Sequence, residues 1–141
     1  MYKTILVPLD GSERAEQILV HVEEIALRFS ARVVFLQIVA SQSVPTIDVL
    51  EFTGQVKEAD LYLNTKSNDF RKKGIDARNV VRVGPAVETI IDVAALEEAD
   101  LIALASHGRS GLSRVFYGSV AAGVLQRVDR PLLLIRSREY A

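Results

Sequence analysis

The stretch Ser106 to Gly118, SHGRSGLSRVFYG, holds the residues of this chain best suited to chemistry. Gly108, Gly111 and Gly118 would let a backbone come close to a ligand, and Gly118-Ser119 stands directly before a helix-forming run whose first N–H groups lack intrahelical partners. Free N–H groups and the positive end of a helix dipole together make an anion site. Two plainer readings fit the same residues: Gly108 and Gly111 shape a turn, and Ser119 caps the helix. Neither GxxxxGK followed by Ser or Thr nor GxGxxG occurs, so neither a P-loop nor a dinucleotide fingerprint is the source of such a site. His107 could exchange a proton near neutral pH, but no carboxylate or nucleophile is evident as its partner. Arg109 and Arg114 bring positive charge nearby, as solvated loop residues also do.

A second candidate is Asp10, in the turn Asp10-Gly11-Ser12. Its carboxylate can accept hydrogen bonds from a ligand's hydroxyls, or it can start a helix, since Asp10-x-x-Glu13 reads as a capping box. Composition removes other chemistries. The chain has no cysteine, which excludes disulfides, thiolate metal sites and thiol catalysis. His21 lies between the core-facing Ile18 and Val22, and one helical histidine makes no metal site, so no resident metal is expected. The 17 Lys and Arg nearly balance the 18 Asp and Glu without a run of like charge, so there is no electrostatic footprint for nucleic acid or an anionic membrane. The apolar run Ile5 to Leu9 stops at Asp10, too short for a signal-peptide core, and no segment approaches the roughly 18 apolar residues of a membrane span. A cytoplasmic protein without nucleic-acid or membrane partners is expected.

The elements that must position these residues alternate along the chain. Residues 2–9, YKTILVPL, are near-continuously apolar, as in a strand buried on both faces of a parallel sheet. Ala15, Ile18, Leu19, Val22, Ile25, Ala26 and Phe29 recur at steps of three and four, which predicts one helix over 13–30. The β-branched and aromatic run 32–39 predicts a second strand, followed by a polar segment through Asp48. Val49, Phe52, Val56, Ala59, Leu63 and Phe70 predict a long helix stopped at Gly74. A strand over 77–83, a helix begun by Gly84-Pro85, a strand over 100–105, a helix over 119–129 and a strand opened by Pro131 complete the order βαβαβαβαβ. Such alternation predicts parallel strands with right-handed crossovers, in a single domain over 1–141. The expected fold class is α/β: a doubly wound, Rossmann-like, five-stranded parallel sheet of order 3-2-1-4-5 with helices on both faces. In such sheets ligands bind past the carboxyl ends of the strands where the winding reverses, here between strands 1 and 4. The Asp10 turn and the 106–118 loop leave those two strands.

Ala105-Ser106-His107-Gly108, nine residues and then Gly118-Ser119 is similar to the motif G-x2-G-x9-G-S/T of the ATP-binding branch of the universal stress protein family. Val7-Pro8-Leu9-Asp10-Gly11-Ser12 and Arg130-Pro131-Leu132-Leu133-Leu134-Ile135 resemble the family's two ends, so the resemblance covers nearly the whole chain. Ala105 stands where the pattern has glycine; alanine keeps room for a backbone contact but not a positive φ. The resemblance implies a small ATP-binding stress-response or signalling protein in which the nucleotide regulates conformation or partner binding, with Mg²⁺ brought by its phosphates. It also implies an ATP site of Pro8, Asp10, Ile38, Ala105, His107, Gly108, Gly118, Ser119 and Val120. Asp10 would take the ribose hydroxyls and backbone groups of Ile38 the adenine edge. Gly108 and Gly118 would make room for the phosphates, bound by Ser119 and the Val120 N–H. The family likeness and the wholly apolar edge Leu132 to Ile135 both point to a homodimer through strand 131–136. Two other readings stay open: a slow ATPase or nucleotidyl-transfer enzyme using the same crevice, and a nucleotide-free dimeric interaction module. No catalytic residue is assigned, because the groups that would place a water and stabilise a phosphoryl transition state cannot be named here.

Overall fold

A computed structural model describes residues 1–39, 49–106 and 118–137, the side chains of 49–51 excepted. Strand β1 (Thr4–Pro8) lies between two parallel neighbours, β2 (Arg32–Val39) and β4 (Leu101–Ala105). β3 (Ala77–Val83) pairs with the far side of β2, and β5 (Leu132–Ile135) with the far side of β4. The order is therefore β3-β2-β1-β4-β5, the expected doubly wound α/β sheet. The connections are helical: α1 (Glu13–Glu16), α2 (Leu19–Phe29), α3 (Val49–Lys72), α4 (Ala86–Leu96) and α5 (Ser119–Arg127).

Strand side chains alternate between two faces, which divides the core in two. Ile5, Val7, Val33, Phe35, Leu101 and Ala103 meet α1, α2 and α3; Leu6, Val34, Leu36, Ile102 and Leu104 meet α4 and α5. Phe35 and Phe70 join sheet to α3 edge to face, with centroids 5.1 Å apart. At the opposite end from the strand carboxyl ends, the Asp100 carboxylate accepts from the N–H of Lys3 at 2.8 Å and of Thr4 at 3.1 Å. Asp100 is thus a latch between β1 and β4, and β4 begins one residue later than its composition predicts.

The helix expected over 13–30 is two segments. Gln17 and Ile18 donate three residues back, to Arg14 and Ala15, which tightens one turn. Residues three apart eclipse in that geometry, and Ala15 and Ile18 are both buried in the same core. Three helices then end alike. In α3, Ile75 N–H reaches back to Phe70 and Gly74 N–H to Arg71, with Gly74 at φ 86°. The same left-handed closure is made by Ser30 after α2 and Glu98 after α4, whose φ values are 54° and 55°. Among the described residues no helix is long and apolar enough to cross a membrane.

Candidate functional site

At the carboxyl edge of the sheet, where β1 and β4 part, lies a crevice of about 310 Å³. Pro8, Leu9 and Asp10 follow β1 into it, Leu36 and Ile38 come from β2, and Leu104, Ala105 and Ser106 from β4. Gly118 to Ala121 bring in the start of α5, and Ala86 and Ile90 one flank of α4. Seven of the residues expected from sequence, Pro8, Asp10, Ile38, Ala105, Gly118, Ser119 and Val120, thus line one cavity. His107 and Gly108 lie outside the described residues. Ala86 and Ile90 were not foreseen, although Gly84-Pro85 marks a helix start at this same end of the sheet.

The two sides of the crevice differ in charge preference. On one, Asp10 Oδ1 accepts from the Ser12 N–H at 3.0 Å and the Ser12 hydroxyl at 2.6 Å. Ser12 in turn caps α1, its Oγ accepting from the Ala15 N–H at 3.1 Å. Asp10 is therefore not the cap that the capping-box reading expected; it stands one step behind, orienting the cap. A carboxylate at the rim can only accept, so this side suits hydroxyl or amine donors.

On the other side, Gly118 itself is the N-cap of α5, and no side chain caps that helix in the described structure. Ser119 is the first helical residue and not the cap, so it and the first turn of α5 line the crevice at the positive end of the dipole. α4 begins at the same edge but is compensated. The Glu88 carboxyl in its first turn is held below its ordinary pKa, first by its own backbone N–H and then by Arg127, whose Nη1 lies 2.9 Å away.

Ser106 ties these parts together. It is buried, its N–H donates to Ile135 at 2.7 Å, its carbonyl accepts from Gly118 N–H, and its Oγ accepts from Ser137 N–H at 3.3 Å. Ala105 is an ordinary strand residue opposite Ile135, and positive φ among the described non-glycine residues is confined to Ser30 and Glu98. The backbone therefore makes no demand there that alanine fails to meet. Among the described residues no three His, Cys, Asp or Glu side chains converge as metal ligands. The crevice can hold a molecule with an apolar body, donors at one end and an anionic group at the other.

A family model described as the universal stress protein family matches residues 1–136. The universal stress protein MJ0577 of Methanocaldococcus jannaschii is 26% identical, over 98% of this chain and 97% of that protein. Its solved structure superposes with a TM-score of 0.85 at 28% identity, covering 99% of each chain. A universal stress protein solved in complex with cAMP shares the fold at a TM-score of 0.67 and 23% identity, over 97% of this chain and 98% of that one. So does a family protein from Arabidopsis thaliana with AMP bound, at a TM-score of 0.67 and 13% identity, over 96% and 92%. With the family model running almost end to end over a sheet wound in this order, the chain belongs to the universal stress protein family.

Proposed function

We propose that the crevice binds ATP or a closely related adenine nucleotide, and that occupancy sets the conformation or partner choice of a stress-response or signalling protein. The observation that carries this reading is the start of α5, a helix N-terminus that no side chain caps among the described residues, opening on a cavity whose opposite rim is a carboxylate. Phosphates fit the first and ribose hydroxyls the second, with the base against Pro8, Ile38 and Leu104. Family members solved with cAMP and with AMP support the same ligand class. Mg²⁺ would arrive on the phosphates and keep mostly water as its other ligands.

In the same reading the chain is one cytoplasmic domain that pairs with a second copy along β5, an edge strand of four apolar, half-buried residues. Calorimetric titration with ATP and Mg²⁺ tests the central point. Micromolar binding supports it; no heat of binding from folded protein at millimolar nucleotide replaces it with a nucleotide-free interaction module.

A further inference from the structure

Beside the crevice, α1 is a single turn of four residues, far too short to be stable by itself. Its position is set by its neighbours. Ala15 is buried beneath it, Ser12 caps its start, and Glu16 at its end is gripped from α3. The Tyr62 hydroxyl donates to Glu16 Oε2, and Lys66 Nζ donates to Glu16 Oε1 at 2.9 Å. Tyr62 and Lys66 are one helical turn apart on the same face of α3, and Lys66 Nζ sits 5.4 Å from the Tyr62 ring centroid.

Three facts connect this cluster to the crevice. Glu16 N–H donates to the Ser12 carbonyl at 3.2 Å, so the gripped residue closes the turn that Ser12 opens. Ser12 is the residue bound through both N–H and hydroxyl to Asp10 at the crevice rim. Burial first, and then Glu16, raise the Tyr62 pKa above its ordinary value; Asp10 adds to the same shift, so its carboxylate lies within electrostatic reach of that hydroxyl.

We propose that Glu16, Tyr62 and Lys66 form a brace that positions the Asp10–Ser12 turn and, through it, the donor-binding side of the crevice. They are positioning residues, since none of the three lines the cavity. The inference rests on the nucleotide reading for its ligand and on geometry for its mechanism. Because Asp10 meets donors while α5 meets anions, the brace governs affinity for the nucleoside part and leaves the polyphosphate part alone.

The test uses the full chain with Tyr62→Phe and Glu16→Gln, titrated with AMP and with ATP. Each variant is expected to lose the same factor for both ligands, about twofold to tenfold, the worth of one net hydrogen bond. In an Asp10→Ala background Tyr62→Phe should lose nothing further. Loss for ATP only, full additivity with Asp10→Ala, or no loss for either ligand overturns the brace. Amide exchange in the nucleotide-free protein gives a separate readout. Exchange at Ser12 and Ala15 should speed up in both variants while Ile102, in the central sheet, is unchanged. A wild type that binds no nucleotide defeats the proposed function, and the brace then stands or falls on this exchange pattern alone.

Discussion

Gly123 of α5 lies so close to Val87 of α4 that a β-carbon at position 123 would meet Val87 Cγ2 at 2.6 Å. Glycine inside a helix is less favourable than alanine by about 1 kcal/mol, so the contact explains why it is there. Gly123→Ala gains that propensity but overpacks the α4–α5 seam, at a cost of about 1–3 kcal/mol, and a net loss of stability is expected by urea denaturation. In a Val87→Ala background the sign should reverse. Gly123→Ala more stable than wild type with Val87 in place would remove this role.

The left-handed helix ends give a second prediction. Glu98 and Ser30 hold conformations that glycine adopts without a β-carbon clash. Glu98→Gly should therefore stabilise the protein by about 0.5–1 kcal/mol even though it enlarges the unfolded ensemble, while Gly74→Ala should lose about 1 kcal/mol. Thermal unfolding of the two variants checks both signs.

Those same helix ends show where sequence reading succeeds and fails. Gly74 announced its helix end; Ser30 and Glu98 did not, because their left-handed φ is imposed by closure onto Ala26 and Ala94 rather than by residue type. The sheet order was legible because apolar runs alternate with helical periodicity, and the runs of β1, β2 and β4 are buried on both faces. The helix start at the crevice was legible in Gly118-Ser119. The α4 flank of the crevice comes from a separate element, and the hold of Arg130 on the Ala94 and Ala99 carbonyls, at 3.0 and 2.8 Å, joins residues more than 30 positions apart. No local pattern carries such contacts, and the Glu16 brace is hidden for the same reason.

Ser119 separates helix stability from ligand binding. It is exposed at the first position of α5, where an acidic side chain meets the positive end of the dipole. Ser119→Asp should stabilise the helix by about 0.3–1 kcal/mol and yet weaken ATP by about tenfold or more, since the new carboxylate takes the place proposed for phosphate. AMP should lose less than ATP. Calorimetry paired with thermal melts reads both; equal or tighter ATP binding by Ser119→Asp moves the phosphates away from α5.

The last prediction concerns the edge of the sheet. Just before β5 the Pro131 carbonyl accepts from Ile102 N–H at 3.0 Å, and at its end the Ile135 carbonyl accepts from Ser106 N–H at 2.7 Å. Backbone groups alternate along a strand, so those of Leu132 and Leu134 are directed away from β4. The side chains are engaged elsewhere: Leu133 and Ile135 pack toward α1 to α3, and Leu132 and Leu134 toward α4 and α5. A lysine at Leu133 would therefore strike the core before it blocked an interface, and the backbone itself is the better probe. Antiparallel pairing of two β5 strands across a two-fold axis would bury the Leu132 and Leu134 N–H groups in a closed dimer. Both amides should exchange slowly at concentrations where sedimentation shows a dimer and quickly on dilution, while Leu133, directed at β4, stays protected at both. A dimer with fast exchange at Leu132 and Leu134 would place the interface on another surface, and a monomer throughout the micromolar range would refute the pairing.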